Sequence, residues 1–242
     1  MKSSKSQENK LPTVFITGTD TDIGKTVITG LLAKHLLQKG FKTITQKWTQ
    51  TGCVGFSEDI AAHLKMMGVR PIDIEERIKH LCPCMFELPA SPHLSAKREG
   101  KRIDPRKIRK SYSLLKSHYD TVIVEGAGGA LVPYNNSSFL IDIAIEMKLP
   151  ILVVAGNKLG AINHTLLTIE ALRSRKADLI GVVFNDLSEE RNKITEDNPD
   201  IVKKISKEKV FGHLPFIKSK KKLCEAFEPI GNQILEQLKA RG

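Results

Sequence analysis

The chain has 242 residues, 40% of them hydrophobic, and a formal net charge of +11 from 38 Lys and Arg against 27 Asp and Glu. That length and apolar content suffice for one α/β core, and no break in composition argues for a second. No uninterrupted apolar run reaches membrane-spanning length, the first residues lack the apolar segment of a secretion signal, and no Cys-x-x-Cys pair is present. These features predict one domain over residues 12–242 behind a disordered polar tail over 1–11, reduced thiols and a cytoplasmic protein without a membrane partner. Basic residues are spread along the chain, thickest at 97–110 and 218–222, and one Trp and three Tyr offer little to stack on bases. No nucleic-acid partner is therefore expected.

Residues 13–17, Thr-Val-Phe-Ile-Thr, are β-branched and apolar enough for a buried strand. Residues 27–38 carry Leu31, Leu32, Leu36 and Leu37 at helical spacing. Between them lies Gly18-Thr19-Asp20-Thr21-Asp22-Ile23-Gly24-Lys25-Thr26, which reads as a phosphate-binding loop. Free N–H groups and the positive dipole end of a helix N-terminus favour phosphate. Lys25 can reach the outer phosphates and the Thr26 hydroxyl can ligate Mg2+. The loop is one residue longer than the usual pattern, because Thr19 stands where the first glycine counted back from Gly24 belongs.

A second strand is expected at 42–46, followed by Lys47 and Trp48-Thr49-Gln50-Thr51-Gly52, which brings another cation to the same edge. Asp59 opens a helix over 60–67, and a further helix is expected at 103–116. The strand 121–124 closes on Glu125 before Gly126-Ala127-Gly128-Gly129. Helices at 140–147, 162–175 and 200–206 then alternate with strands at 151–155, 179–184 and 210–211. Ile230, Ile234, Leu235 and Leu238 form a last apolar stripe. This alternation predicts an α/β fold with a doubly wound, mainly parallel sheet flanked by helices, binding its ligand at the carboxyl ends of the strands. Thr26, Asp59 and Glu125 are hard oxygen donors suited to sharing one Mg2+. In isolation, Asp59 reads rather as a helix-starting charge on the dipole, and Asn185-Asp186 rather as a strand-ending turn.

Taken in order, several blocks resemble the dethiobiotin synthetases of the P-loop NTPase superfamily over nearly the whole chain from residue 13. They are Gly18-Thr19-Asp20-Thr21 with Gly24-Lys25-Thr26, Lys47 with Thr51-Gly52, Ser91-Pro92-His93-Leu94 with Glu99-Gly100, and Val124 to Gly129. Lys158-Leu159-Gly160 with Ile162-Asn163-His164, and Asn185-Asp186, complete the match. The resemblance implies Mg-ATP-dependent closure of a ureido ring on 7,8-diaminononanoate with CO2, through a carbamate and a carbamic-phosphoric anhydride, giving dethiobiotin, ADP and phosphate. It implies that Lys25 and Lys47 neutralise charge on carbamate and γ-phosphate, that Thr51 binds carbamate or diamine, and that Thr26, Asp59 and Glu125 hold Mg2+. Thr21 and the loop amides of Asp22, Ile23, Gly24, Lys25, Thr26 and Val27 would bind phosphates. Gly126, Ala127, Gly128 and Asp186 join the nucleotide-binding set, with Asn185 and Leu214-Pro215-Phe216 at the adenine. The family's homodimers imply that Leu159, Gly160, Asn163 and His164 meet the substrate tail of a neighbouring subunit. Trp48 stands where the family usually has proline and Asp22 where glutamate is common, while 188–207 and 218–222 align with no motif. A ParA- or MinD-like ATPase shares the fold, but its loop carries an early lysine that Thr19, Asp20 and Thr21 do not supply.

Overall fold

A computed structural model describes residues 10–189 and 193–241. The expected tail lies outside the described residues up to residue 9. Leu11 is buried, donates its N–H to the Asp120 carbonyl and accepts a bond from Lys116 Nζ through its own carbonyl.

Runs of β-branched and apolar residues form six parallel strands in the order β2-β5-β1-β6-β7-β8. They are β1 (Val14–Gly18), β2 (Thr43–Lys47), β5 (Thr121–Glu125), β6 (Ile151–Asn157), β7 (Leu179–Asp186) and β8 (Val210–Leu214). Every residue of β1, β2, β5 and β6 is buried, as expected for strands covered on both faces. The helices α1 (Lys25–Gln38), α5 (Pro105–His118), α6 (Leu140–Glu146), α7 (Ala161–Ser174) and α9 (Lys220–Lys239) include the sequence-expected crossovers. Among the described residues no helix is long and apolar enough to cross a membrane.

The strands run further than their apolar cores suggest, so that Lys47, Glu125 and Asp186 are the last residues of β2, β5 and β7. Between α2 (Glu58–Met67) and α5 the chain builds elements that no periodicity announced. They are a 3-10 helix (Pro71–Arg77), α3 (Ile78–Leu81), α4 (Pro92–Arg98) and a two-stranded parallel sheet of β3 (Thr49–Gln50) and β4 (Cys84–Met85).

The helix expected at 200–206 is longer: α8 spans Lys193–Ser206 with Pro199 inside it. Proline cannot donate to the carbonyl four residues back. That carbonyl belongs to Thr195, and Asn157 Nδ2 reaches it at 2.8 Å. Asn157 also donates to Asp186 Oδ1 at 2.6 Å and accepts from Asn198 Nδ2 at 2.9 Å. One buried amide thereby joins the ends of β6 and β7 to α8.

Trp48, which stands where the resembled family usually has proline, is fully buried. Its ring lies 4.8 Å from that of Phe15, and its indole N–H donates to Gln46 Oε1 at 3.0 Å. Its backbone N–H reaches the Glu125 carbonyl at 3.3 Å, a bond proline cannot make. Trp48→Ala should cost about 3–5 kcal/mol of stability by emptying this space. Urea denaturation followed by circular dichroism measures the loss, and an unchanged midpoint would contradict the packing.

Candidate active site

β1 delivers the chain to the phosphate loop at its carboxyl end. Gly24 closes the loop in the left-handed region, φ 92°, as the N-cap of α1, where no side chain caps the first N–H groups. A Cβ at Gly24 would meet Asn185 Nδ2 at 2.2 Å. Glycine therefore serves both the backbone conformation and the close approach of β7. Asn185 Nδ2 donates to the Ile23 carbonyl at 3.0 Å, and the Ile23 side chain is buried. Lys25 spans the loop, donating to the Asp20 carbonyl at 2.7 Å. Burial, with the Lys47 ammonium nearby, lowers its pKa to about 8.

Lys47 and Glu125 are register partners in the β2–β5 pair, which sets their side chains side by side. Lys47 Nζ lies 2.7 Å from Glu125 Oε1, 2.8 Å from Asp59 Oδ2 and 2.9 Å from the Gly126 carbonyl, so all three of its protons have acceptors. Burial alone would discharge Lys47, but Glu125 and Asp59 outweigh it and raise its pKa. Burial would likewise protonate Glu125. Lys47 and His63 reverse that effect and hold its carboxyl far below the usual carboxylate range. The Thr26 hydroxyl faces both acids, 3.1 Å from Asp59 Oδ1 and 3.1 Å from Glu125 Oε1. These three groups share one small volume as hard oxygen donors. Mg2+ prefers a few such groups completed by phosphate and water, so the donor set fits it.

Asp59 and His63 occupy one face of α2, four residues apart. Ser57 caps that helix, accepting from Ile60 N at 3.2 Å while donating to Gln50 Oε1 at 2.8 Å. His63 Nε2 sits 2.7 Å from Glu125 Oε2, and both side chains are buried. Sequence reasoning missed His63, Ser57 and Asn157. Serine before the acidic pair Glu58-Asp59 is a legible cap signal. The histidine's partner, 62 residues away in sequence, is not legible.

A cavity of about 300 Å³ unites Thr21, Asp22, Gly24, Lys25, Thr26, Lys47, Thr51, Asp59, Glu125, Ala127 and Gly128. The remaining expected site residues are not among its lining. Asp186 is buried and held by Asn157. Leu214, the register partner of Asn185, is fully buried, Pro215 half-buried and Phe216 exposed. Gly160 is the N-cap of α7, φ 87°, with Leu159 and Asn163 exposed beside it. His164 lines a separate groove with Thr19, Asp20 and Thr21.

The chain matches a family model described as an AAA domain over residues 12–222. It is 44% identical over 176 residues to the ATP-dependent dethiobiotin synthetase BioD 2 of Haemophilus influenzae, covering 73% of this chain and 92% of that one. It is 41% identical to the ATP-dependent dethiobiotin synthetase BioD of Chlorobaculum tepidum over 219 residues, 90% of each chain. Among solved structures, a ParA family ATPase from Chlorobium tepidum superposes with TM-score 0.55 at 15% identity over 96% of both chains, a likeness of fold alone.

His63→Phe should cost about 1–3 kcal/mol at pH 7, because a buried carboxylate oxygen loses its donor. The depressed Glu125 pKa makes its contribution present above the ordinary carboxylate range and lost as pH falls through the folded value. The deficit between variant and wild type should therefore persist at pH 4, still above the folded value. Urea midpoints of variant and wild type at pH 7 and pH 4 check this, and an unchanged midpoint at pH 7 would overturn it.

Proposed function

We propose, from the premise that this chain belongs to the ATP-dependent dethiobiotin synthetase family and carries its AAA domain, that it closes the ureido ring of dethiobiotin. The reaction takes 7,8-diaminononanoate, CO2 and ATP, and releases ADP and phosphate. One amine takes up CO2 as a carbamate, which is too poor an electrophile for the second amine to attack. Transfer of the γ-phosphoryl group onto the carbamate gives a mixed anhydride, and the second amine then closes the ring and expels phosphate.

The observation that carries this reading is Lys47, fixed as a cation by two acids inside the cavity that also holds the phosphate loop and Thr51. Thr21 and the loop amides from Asp22 to Val27 hold the phosphates, and Lys25 neutralises the outermost. Lys47 faces the shared charge of carbamate and γ-phosphate. A cation that is already desolvated and immobile stabilises such charge without reorganising. Thr51, at the cavity wall, orients the carbamate or diamine. Thr26, Asp59 and Glu125 would hold Mg2+, which supplies charge neutralisation on the transferring phosphoryl group.

Asn185, Asp186 and the segment Leu214-Pro215-Phe216 supply the adenine end. The support is their position at the carboxyl ends of β7 and β8, beside the loop that Asn185 braces. Gly126, Ala127 and Gly128 border the nucleotide from the turn after Glu125. Gly160 and Asn163, with Leu159 and His164, would meet the substrate carboxylate of a second copy in a homodimer, since the α7 N-terminus suits an anion. The working partners are these small molecules and a second copy, in the cytoplasm, with neither nucleic acid nor membrane.

Lys47→Ala should keep nucleotide binding yet lower dethiobiotin formation by roughly a hundredfold or more. Mass spectrometry with ATP, Mg2+, bicarbonate and 7,8-diaminononanoate, omitting each in turn, measures it. Wild-type product without ATP, or full product from the variant, would sink the reading. A second outcome concerns Lys25. At pH 8 about half of the chains carry it neutral, and phosphate charge draws the proton back, so nucleotide binding should take up about half a proton there. Uptake should fade toward pH 6, and affinity should drop as pH rises past about 8. Calorimetry at pH 8 in two buffers of different protonation enthalpy reads the uptake, and equal heats would contradict it.

A further inference from the structure

On the side of the α2 N-terminus away from the phosphate loop, a groove of about 510 Å³ opens against α3 and the approach to β4. It shares no lining residue with the phosphate cavity. Its floor is apolar, with Ile60, Leu81 and Cys82 buried, while Phe56 and Met85 stand 38% and 36% exposed at its edge. Lys79, Lys101 and Lys107 also line it, and among the described residues no carboxylate does. A second cavity of about 370 Å³ continues it, sharing Met85, Lys101 and Lys107, adding Arg102 and again including no carboxylate. Lys101 is paired with Glu99 at 2.8 Å. Lys79 and Lys107 have no ion pair among the described residues.

We propose that this groove is a second ligand site, selective for an amphipathic monocarboxylate with an unbranched alkyl chain. The chain lies along Ile60, Leu81 and Met85, and the carboxylate meets Lys79 and Lys107. A concave apolar floor of this volume gains affinity from alkyl groups and offers nothing to a bare phosphate. Cations with no ion pair among the described residues select an anion at the rim over a neutral or positive head group. A polyanion such as nucleic acid would instead require an open basic surface with stacking partners, and the groove is concave.

Calorimetric titration of the full chain with octanoate, hexanoate and 1-octanol tests the assignment without turnover. One saturable octanoate site per chain is expected. Hexanoate, two methylenes shorter, should bind about fifteenfold more weakly, since a buried methylene changes affinity about fourfold. Octanol should also bind about tenfold more weakly. The double variant Lys79→Gln, Lys107→Gln should lose at least about fivefold in octanoate affinity while its thermal midpoint and ring closure stay at wild-type values. Met85→Asp should abolish binding by placing a like charge at the mouth. Equal affinities for octanoate and octanol, unaltered binding by the double variant, or non-saturating uptake would each overturn the proposal. Ring closure is measured separately, so failure here leaves the synthetase reading intact, and failure of that reading leaves this site standing.

Discussion

A carboxylate at the centre of a protein must be compensated from every side or become neutral, and Glu125 is such a group. Its side chain is 1% exposed, and burial alone would protonate it. Compensation comes from three different elements: the ammonium at the end of β2, the hydroxyl at the start of α1 and the imidazole on α2. Each must arrive in place for the charge to persist. Removing one partner of a buried pair is far more damaging than the pair's net worth, because a lone charge is left behind. The architecture around the site is therefore stricter than its hydrophobic packing alone would demand.

The same centre divides electrostatic labour between two lysines. Lys47 is locked in its charged form by two carboxylates and so is a fixed positive point. Among the described residues Lys25 has no acid at contact distance and holds a backbone carbonyl instead, which leaves its proton responsive to what approaches. The sequence contains both as ordinary lysines. Burial and neighbours make one permanent and the other adjustable.

What the sequence disclosed was whatever local chemistry determines. The phosphate loop, the order of strands and helices, and the positions of Lys47, Asp59 and Glu125 follow from apolar runs broken by particular residues. The dependence of Glu125 on His63 did not emerge, because its partners meet only after β5 and α2 pack. The first half of α8 was hidden behind Pro199, at whose turn the Thr195 carbonyl accepts from Asn157 of another strand. The basic run at 218–222 matched no motif, yet Lys220 to Lys222 begin α9. Positive charge at a helix N-terminus opposes the dipole, so terminal preferences place that start later. The tertiary packing of Phe227, Ile230, Ile234 and Leu238 overrides it.

β2 is an edge strand of the main sheet, where parallel partners are held from one side only. A slip of one residue against β5 would turn Lys47 to the opposite face and strand both charges in an apolar layer. Trp48, whose N–H and ring bind β5 and β1, would be displaced with it. An out-of-register sheet would therefore leave both charges buried without their partner, which ties the register of β2 to the integrity of the site.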